Sequence, residues 1–312
     1  WIEIPEKYVK ESLSNNTTCT YEYSIEFDDV IPLNDKETPV PYKICSFDIE
    51  ASSSHGDFPL AKKNYKKLAT NIIDWFKVNP TVKKNIRDHL HSFLLTAFQF
   101  ETKHKHTMDN IYIKKPELFT LTDFNKTFDI WISTIIKKHY DEDETNNLMA
   151  YFMEEDNDTT NRSFKASEYN NVFELLLDAN CPYDIKINQL SQSMKIFPQV
   201  EGDKVTFIGS TFMKYGSKEP YMNHCLVLNT CDKNFDENTI IEECETEREL
   251  LLKWKDLIQT ENPDMLIGYN IFGFDYEFMF KRSLENNCHH DFLQLSRNIG
   301  EYSYKTDYES GE

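Results

Sequence analysis

The sequence predicts an α/β fold built around a sheet that carries acidic side chains on one face. Three observations lead to this prediction. Residues 43–50 alternate between apolar and polar as a half-buried strand does, and residues 204–229 contain two more strand patterns separated by turn residues. Residues 264–275 combine a short apolar run, two glycines and the start of a helical pattern. Because 39% of the 312 residues are hydrophobic, the chain can fill a core of this kind.

The strand predicted at residues 43–50 places two carboxylates side by side. Successive side chains of a strand alternate between its faces, so Asp48 and Glu50 share one face while the apolar residues around them face the core. Their Cα atoms are expected to lie about 6.5 Å apart, which lets the oxygens of both reach hard divalent cations. Two like charges this close favour a cation between them. The alternative is an edge strand whose acidic face lies in water.

A later segment supplies a third carboxylate. We expect a short buried strand over residues 265–267, a turn that two glycines permit, and a helix that begins near Phe274. Asp275 therefore falls at a junction between strand and helix, a common place for ligands in α/β sheets. The prediction is that Asp275 meets Asp48 and Glu50 at one rim of the sheet.

Both segments resemble motifs of a known family. Residues 47–50 resemble the first exonuclease motif of family B DNA polymerases, and residues 269–275 resemble the second, which has the form Tyr-Asn-x-x-x-Phe-Asp. Over roughly residues 1–60 and 196–300, the chain is similar to the catalytic subunit of DNA polymerase delta and its homologues in large DNA viruses. The resemblance implies a ribonuclease H-like 3′–5′ exonuclease fold in a replicative, DNA-directed DNA polymerase with proofreading.

The resemblance also implies a metal-dependent mechanism. Family B exonucleases hydrolyse the phosphodiester with two Mg²⁺ or Mn²⁺ ions, which two-metal sites hold about 3.5–4 Å apart. Asp48 would bridge the two ions, Glu50 would hold the ion that activates water, and Asp275 would bind the other ion. These three residues are thus the expected catalytic residues and metal ligands.

The substrate implied by the resemblance is the single-stranded 3′ end of a DNA primer. Asn270 and Phe274 are expected to place its terminal nucleotide, and Tyr269 is expected to pack beneath the turn. For Phe274, stacking on a base and packing in the core are equal alternatives.

The predicted domain organisation has three parts. Residues 1–40 form a connector that contains one alternating segment and is interpreted as part of an N-terminal domain. Residues 41–60 and 196–312 form the exonuclease domain, and residues 61–195 form a mostly helical insertion between its first two strands. The same dipeptide, Phe-Pro, brackets the insertion, and long excursions in surface loops cost little closure entropy. Within the sheet, the order is an antiparallel hairpin, a helix that opens at Glu245, and a parallel strand.

The exonuclease domain is expected to be incomplete. The family's third motif has the form Tyr-x-x-x-Asp, and the nearest candidate, Tyr304 to Asp307, is one residue too short and comes too early. The chain also begins with Trp1 rather than Met. We therefore expect a fragment of a polymerase that is inactive, or nearly so, by itself.

The charge, cysteine spacing and apolar content of the sequence limit which partners and locations are expected. The net charge of −19 argues against an extended contact surface for duplex DNA. We therefore expect the remaining polymerase domains, and a processivity clamp, to make most of the contacts with the duplex. The seven cysteines show no zinc spacing and indicate reduced thiols of an intracellular protein, at a replication site in the host nucleus or a viral site in the cytoplasm. No apolar run of 18 residues occurs, so no membrane partner is expected.

Two alternatives stay open at this stage. The first is a free-standing 3′–5′ exonuclease with the same carboxylate chemistry and no polymerase. The second is a non-catalytic module whose helical insertion, residues 61–195, binds another protein. A polymerase-like N-terminal flank argues against the first, and the presence of all three carboxylates argues against the second.

Overall fold

The computed structural model describes the following residues: 1–8, 10–11, 16–53, 56–79, 85–102, 106, 108–137, 168–232 and 238–303. The chain divides into two compact units. One, which we call the sheet unit, comprises residues 1–62 and 202–312, and the other, the helical unit, comprises residues 63–201.

The elements are numbered here in chain order. The strands are β1 (Ile2–Glu3), β2 (Lys10–Glu11), β3 (Tyr23–Ser24), β4 (Ile31–Pro32), β5 (Lys43–Ser52), β6 (Ile136–Lys137), β7 (Glu168–Tyr169), β8 (Lys204–Lys214), β9 (Met222–Leu228), β10 (Thr239–Cys244) and β11 (Met265–Ile267). The α-helices are α1 (Lys66–Val78), α2 (Ile86–Ala97), α3 (Leu121–Ile132), α4 (Val172–Leu177), α5 (Tyr183–Ser193), α6 (Glu247–Glu261), α7 (Asp275–Glu285) and α8 (His289–Phe292).

The sheet unit is built on a mixed five-stranded sheet in the order β10-β9-β8-β5-β11. Strands β5, β8 and β9 are antiparallel neighbours, whereas β11 is parallel to β5 and β10 is parallel to β9. The predicted hairpin of β8 and β9 and the predicted parallel strand β11 are confirmed. This order places β5, with its two carboxylates, between β8 and β11.

Helices α6 and α7 pack on the apolar face of this sheet. Trp254 of α6 is fully buried, with its ring centroid 4.9 Å from that of Phe47 on β5. Its indole N–H donates to the Ser210 hydroxyl of β8 at 3.2 Å, so the one polar atom of this large side chain has a partner inside the core. The predicted helix is present, but α6 begins at Glu247, two residues after the predicted Glu245, because the Thr246 side chain accepts the backbone N–H of Glu249 as an N-cap.

Two features of the sheet differ from the sequence prediction. Strand β10 was not predicted, because its pattern contains two glutamates and its pairing with β9 depends on a crossover rather than on a hairpin. Strand β11 was predicted to be buried, but Met265 is 40% exposed and Ile267 is 47% exposed. The reason is its position: within the described residues β11 is the last strand of the sheet and has β5 as its only neighbour.

The described residues before β5 include two small antiparallel pairs, β1 with β4 and β2 with β3. Of the alternating segment predicted there, only Tyr23–Ser24 forms a strand. Thr17 forms an isolated bridge with Asn298, which belongs to the C-terminal segment of the sheet unit.

The helical unit contains α1 to α5 and the short pair of β6 and β7. Its core is rich in aromatic side chains, among which Phe93, Phe124, Phe128 and Trp131 are almost fully buried. Helix α3 begins with a capping box between Thr120 and Asp123. Residues 141–162 contain an acidic run whose composition predicts a flexible linker, and they lie outside the described residues. Among the helices described, none is both long and apolar enough to cross a bilayer.

Candidate active site

The exposed face of β5 carries the two carboxylates of the first motif. Asp48 and Glu50 are exposed, while Phe47 and Ile49 are buried at 2% and 5% exposure. The predicted alternation is confirmed. Across the sheet, Asp48 lies opposite Gly209 of β8, so the carboxylate borders a position with no side chain.

The turn between β11 and α7 brings the second motif against β5. A Cβ atom at Gly268 would lie 2.6 Å from the carbonyl oxygen of Phe47, so only glycine permits this close approach. Asn270 adopts a left-handed conformation with a φ of 54°, and its carbonyl oxygen accepts the N–H groups of Gly273 at 2.9 Å and Phe274 at 3.1 Å. The chain thereby reverses and enters α7 with Asp275 as the first helical residue.

Asp275 is buried beside β5, with 2% of its surface exposed. Its Oδ1 accepts the backbone N–H of Ile49 at 3.2 Å. The pairing of β5 with β11 ends at Ser46, so the Asp275 carboxylate satisfies a β5 backbone donor beyond the end of the neighbouring strand. The side chain is therefore fixed in the plane of the sheet and next to Asp48.

The electrostatics of this pair are unfavourable without a cation. Burial raises the pKa of the Asp275 carboxyl above its ordinary value, the backbone N–H groups of Ile49 and of Asp275 itself lower the pKa, and the neighbouring Asp48 raises it again. The net direction is upward. A buried carboxylate held next to a second carboxylate is the arrangement that a bound divalent cation would stabilise.

The structure brings together two of the three predicted carboxylates, Asp48 and Asp275. Glu50 lies two residues along on the same face of β5 and is exposed. In the part of the chain that the structure describes, no group of three or more His, Cys, Asp or Glu side chains is close enough to form a complete metal site. The candidate residues for the third motif, Tyr304 to Asp307, lie outside that part.

The aromatic residues near the site differ from their predicted roles in one case. Tyr269 was expected to pack beneath the turn, but it is 93% exposed, because the turn continues from β11 at the open edge of the sheet. Phe274 is partly buried, with ring centroids 5.2 Å from Phe278 and 5.3 Å from Phe58. Phe58 itself is 72% exposed and was not predicted as a site residue, although it follows Glu50 by only eight positions.

Asn270, a predicted substrate-binding residue, contacts the turn itself. A Cβ atom at Gly273 would lie 2.4 Å from Asn270 Oδ1, so the amide packs directly over this glycine. The turn therefore depends on the pairing of a left-handed asparagine with a glycine three residues later.

A buried ion-pair network supports α7 from below. Arg282, with 1% of its surface exposed, donates from Nε and Nη2 to the two oxygens of Glu247 on α6, at 2.8 and 2.6 Å. Its Nη1 donates to the carbonyl oxygen of Ala61 at 3.0 Å and to Glu285. Glu247 also accepts the N–H of Val205 at 2.9 Å. One sign of this network is visible in the sequence, because Arg282 is a charged residue at an apolar position of the α7 helical pattern.

Comparison with known proteins places this sheet and its motifs in a family. The sequence pattern described as "DNA polymerase family B, exonuclease domain" matches residues 1–139 and 177–305. The chain is 34% identical, over its whole length, to a DNA polymerase of Phaeocystis pouchetii virus and 32% identical, over 97% of its length, to one of Pyramimonas orientalis virus. It spans 32% and 24% of those two proteins. It is also 33% identical, over 88 residues, to the DNA polymerase delta catalytic subunit of Caenorhabditis elegans, which is 28% of this chain and 8% of that protein.

Proposed function

We propose that this chain, which belongs to the exonuclease-domain family of the family B DNA polymerases, carries the 3′–5′ proofreading region of a DNA-directed DNA polymerase. This family implies a ribonuclease H-like α/β fold, with which the mixed five-stranded sheet agrees. The observation that carries the proposal is the contact between the two motifs. Asp275, 227 residues after Asp48, is buried next to it and is held there by the N–H of Ile49.

We propose that Asp48, Glu50 and Asp275 hold the two Mg²⁺ or Mn²⁺ ions of this reaction. The donor set fits, because all three side chains offer the hard oxygen ligands that these cations prefer. The raised pKa of Asp275 beside Asp48 also fits a site whose carboxylates are stabilised when a cation is bound. When bound, the ions would make a water nucleophilic near neutral pH and stabilise the charge on the leaving oxygen.

The protein groups have separate tasks in this proposal. Asp275 is rigid, because a backbone N–H and the first turn of α7 hold it, whereas Asp48 and Glu50 are exposed to an incoming phosphodiester. A fixed ligand and two accessible ligands suit a site that must exchange its substrate while it keeps its geometry. We expect any further carboxylate to come from the third motif of the family, which supplies a fourth acidic ligand.

We propose that Phe58 and Phe274 contact the bases at the single-stranded 3′ end. Their rings meet nearly edge to face at 5.3 Å, and Phe58 leaves most of its surface to solvent. Phe278 supports Phe274 from the core side, so the pair combines a fixed ring with an accessible one. Base stacking on such rings contributes about 1–3 kcal/mol per base and is independent of sequence, as proofreading requires.

The rest of the parent polymerase enters the proposal as partners. We propose that further polymerase domains, and a processivity clamp, hold the duplex, at a replication site in the host nucleus or cytoplasm. We also propose that the helical unit is an addition to the exonuclease sheet. Residues 63–139 and 177–201 of the helical unit lie within the family pattern, and residues 140–176 lie outside it.

Manganese titration of the chain tests the metal proposal. We expect Mn²⁺ binding by calorimetry or electron paramagnetic resonance, and at least about a tenfold loss of affinity in Asp48→Asn and in Asp275→Asn. Asp291→Asn is the control, since it removes an exposed carboxylate of the same unit. If the wild-type chain binds no Mn²⁺, the non-catalytic alternative is favoured.

A nuclease assay tests whether the site is complete. With a single-stranded oligonucleotide and Mn²⁺, we expect the 312-residue chain to cleave weakly or not at all. Robust cleavage that Asp48→Ala abolishes would support the chemistry but refute the predicted incompleteness.

A further inference from the structure

Gly209 occupies the middle of β8, directly opposite Asp48. A Cβ atom built at this position would have no heavy atom within 4 Å, and its φ lies outside the left-handed region. The fold itself therefore does not require glycine here, in contrast to Gly268. A glycine inside a strand weakens the strand, and it commonly marks a place where a ligand comes close.

Because Gly209 has no side chain, a gap lies between the side chains of its neighbours on this face of the sheet, and we call this gap the depression. Asp48 borders it on β5, and Cys225 borders it on β9. Along β8, Phe207 lies on one side with 37% of its surface exposed, and Thr211 lies on the other side and is exposed. The depression therefore has a backbone floor, a carboxylate on one side, an aromatic ring at one end and a hydroxyl at the other.

We propose that this depression receives one nucleotide of the single-stranded DNA substrate and that Gly209 is the residue that keeps it open. The proposal rests on the proposed function, because the depression lies next to the carboxylates assigned there. The Phe207 ring offers a surface for base or sugar contact, and the Thr211 hydroxyl, which donates to Asn223 Oδ1 at 3.0 Å, forms a polar edge of the depression.

The charges at this site make binding depend on the metal. A phosphate approaching Asp48 and the neighbouring Glu50 meets two negative charges, which bound divalent cations would neutralise. Binding of the oligonucleotide to the depression should therefore require Mn²⁺ or Ca²⁺. A neutral contact with the Phe207 ring would add affinity that metal alone does not supply.

Substitution of Gly209 separates stability from binding. Gly209→Ala and Gly209→Val add side-chain atoms to an open site, so we expect the free energy of unfolding to stay the same or to rise. Met213→Val is the matched control, because it places the same side chain on the same strand and face about 13 Å away.

The binding assay uses fluorescence anisotropy of a labelled oligothymidylate with the whole chain, in Ca²⁺ or Mn²⁺. We expect Gly209→Val to weaken binding by at least about tenfold, Gly209→Ala to weaken it less, and the control to leave it unchanged. Mn²⁺ binding without DNA should stay the same in all three variants.

Cysteine footprinting locates the bound strand. Cys225 is partly exposed and Cys19 is exposed, so maleimide labelling followed by peptide mass spectrometry can compare them in one sample. We expect the oligonucleotide with metal to protect Cys225 and to leave Cys19 unaffected.

Each outcome distinguishes this proposal from the metal proposal. If Gly209→Val binds the oligonucleotide like wild type, if Cys225 is not protected, or if wild type binds Mn²⁺ but no oligonucleotide, the depression is not a nucleotide site. If Gly209→Val unfolds the chain, the glycine serves the fold, and the inference is overturned. If the wild-type chain binds no Mn²⁺, the proposed function is overturned instead.

Discussion

Replacement of Arg282 by methionine is expected to destabilise the sheet unit strongly. The guanidinium is almost fully buried and donates two parallel hydrogen bonds to Glu247, whose side chain is 2% exposed. In the variant, Glu247 keeps the N–H of Val205 and the amide of Asn286 but has no opposite charge. Removing one partner of a buried ion pair costs about 3–5 kcal/mol, because the other charge stays buried.

The neighbouring residue offers a matched control. Lys281 pairs with Glu277 at 2.6 Å on the same helix, but both side chains are nearly half exposed. Lys281→Met should therefore cost only about 0.3–0.5 kcal/mol. The double variant Arg282→Met with Glu247→Gln should recover part of the lost stability, because it removes the charge of Glu247 and keeps an acceptor for Val205, while Glu285, whose side chain is 5% exposed, still lacks its guanidinium partner.

Urea denaturation measures the free energies, and hydrogen exchange of α7 peptides assigns the change to the sheet unit. Equal losses in Arg282→Met and Lys281→Met would refute the reasoning, as would a double variant less stable than Arg282→Met alone.

Three further predictions concern the site and its supports. Folding raises the pKa of Asp275, so at pH values between the ordinary and the raised pKa of this carboxyl the metal-free folded chain binds more protons than the unfolded chain. The stability of the chain therefore falls as pH rises between those two pKa values. Asp275→Asn should remove that fall, and melting curves in EDTA between acidic and neutral pH should show its advantage over wild type growing with pH. Gly268→Ala should cost at least about 1–3 kcal/mol in urea denaturation, because the new Cβ would meet the Phe47 carbonyl oxygen at 2.6 Å, and an unchanged midpoint would contradict this. Thr246→Ala should cost about 1 kcal/mol by loss of the α6 N-cap, whereas Thr246→Ser should cost much less.

The sequence identified the elements whose signal is local. Strand β5 alternates along its length, and the presence of α6 follows from the helical spacing of its apolar residues. The same holds for the strand and turn that lead to Asp275. These predictions succeeded because side-chain periodicity and turn preferences depend on neighbouring residues.

Other features could not be read in this way. The exposure of Tyr269 and of β11 depends on which strand forms the edge of the sheet, and the pairing of β10 depends on a crossover. The Phe58 contact with Phe274 joins residues that lie 216 positions apart in the chain. No local pattern specifies such contacts.

The sequence alone determined which residues are candidates for the chemistry: two carboxylates on one strand face, a third at a strand-to-helix turn, and motifs that resemble those of a known family. Only the tertiary structure decided that Asp275 is buried against β5 and that Arg282 is held by Glu247 and Ala61. The physical reason is distance along the chain. The bonds from Ile49 to Asp275 and from Arg282 to Ala61 span 226 and 221 residues, so they form only when the sheet and its helices pack together.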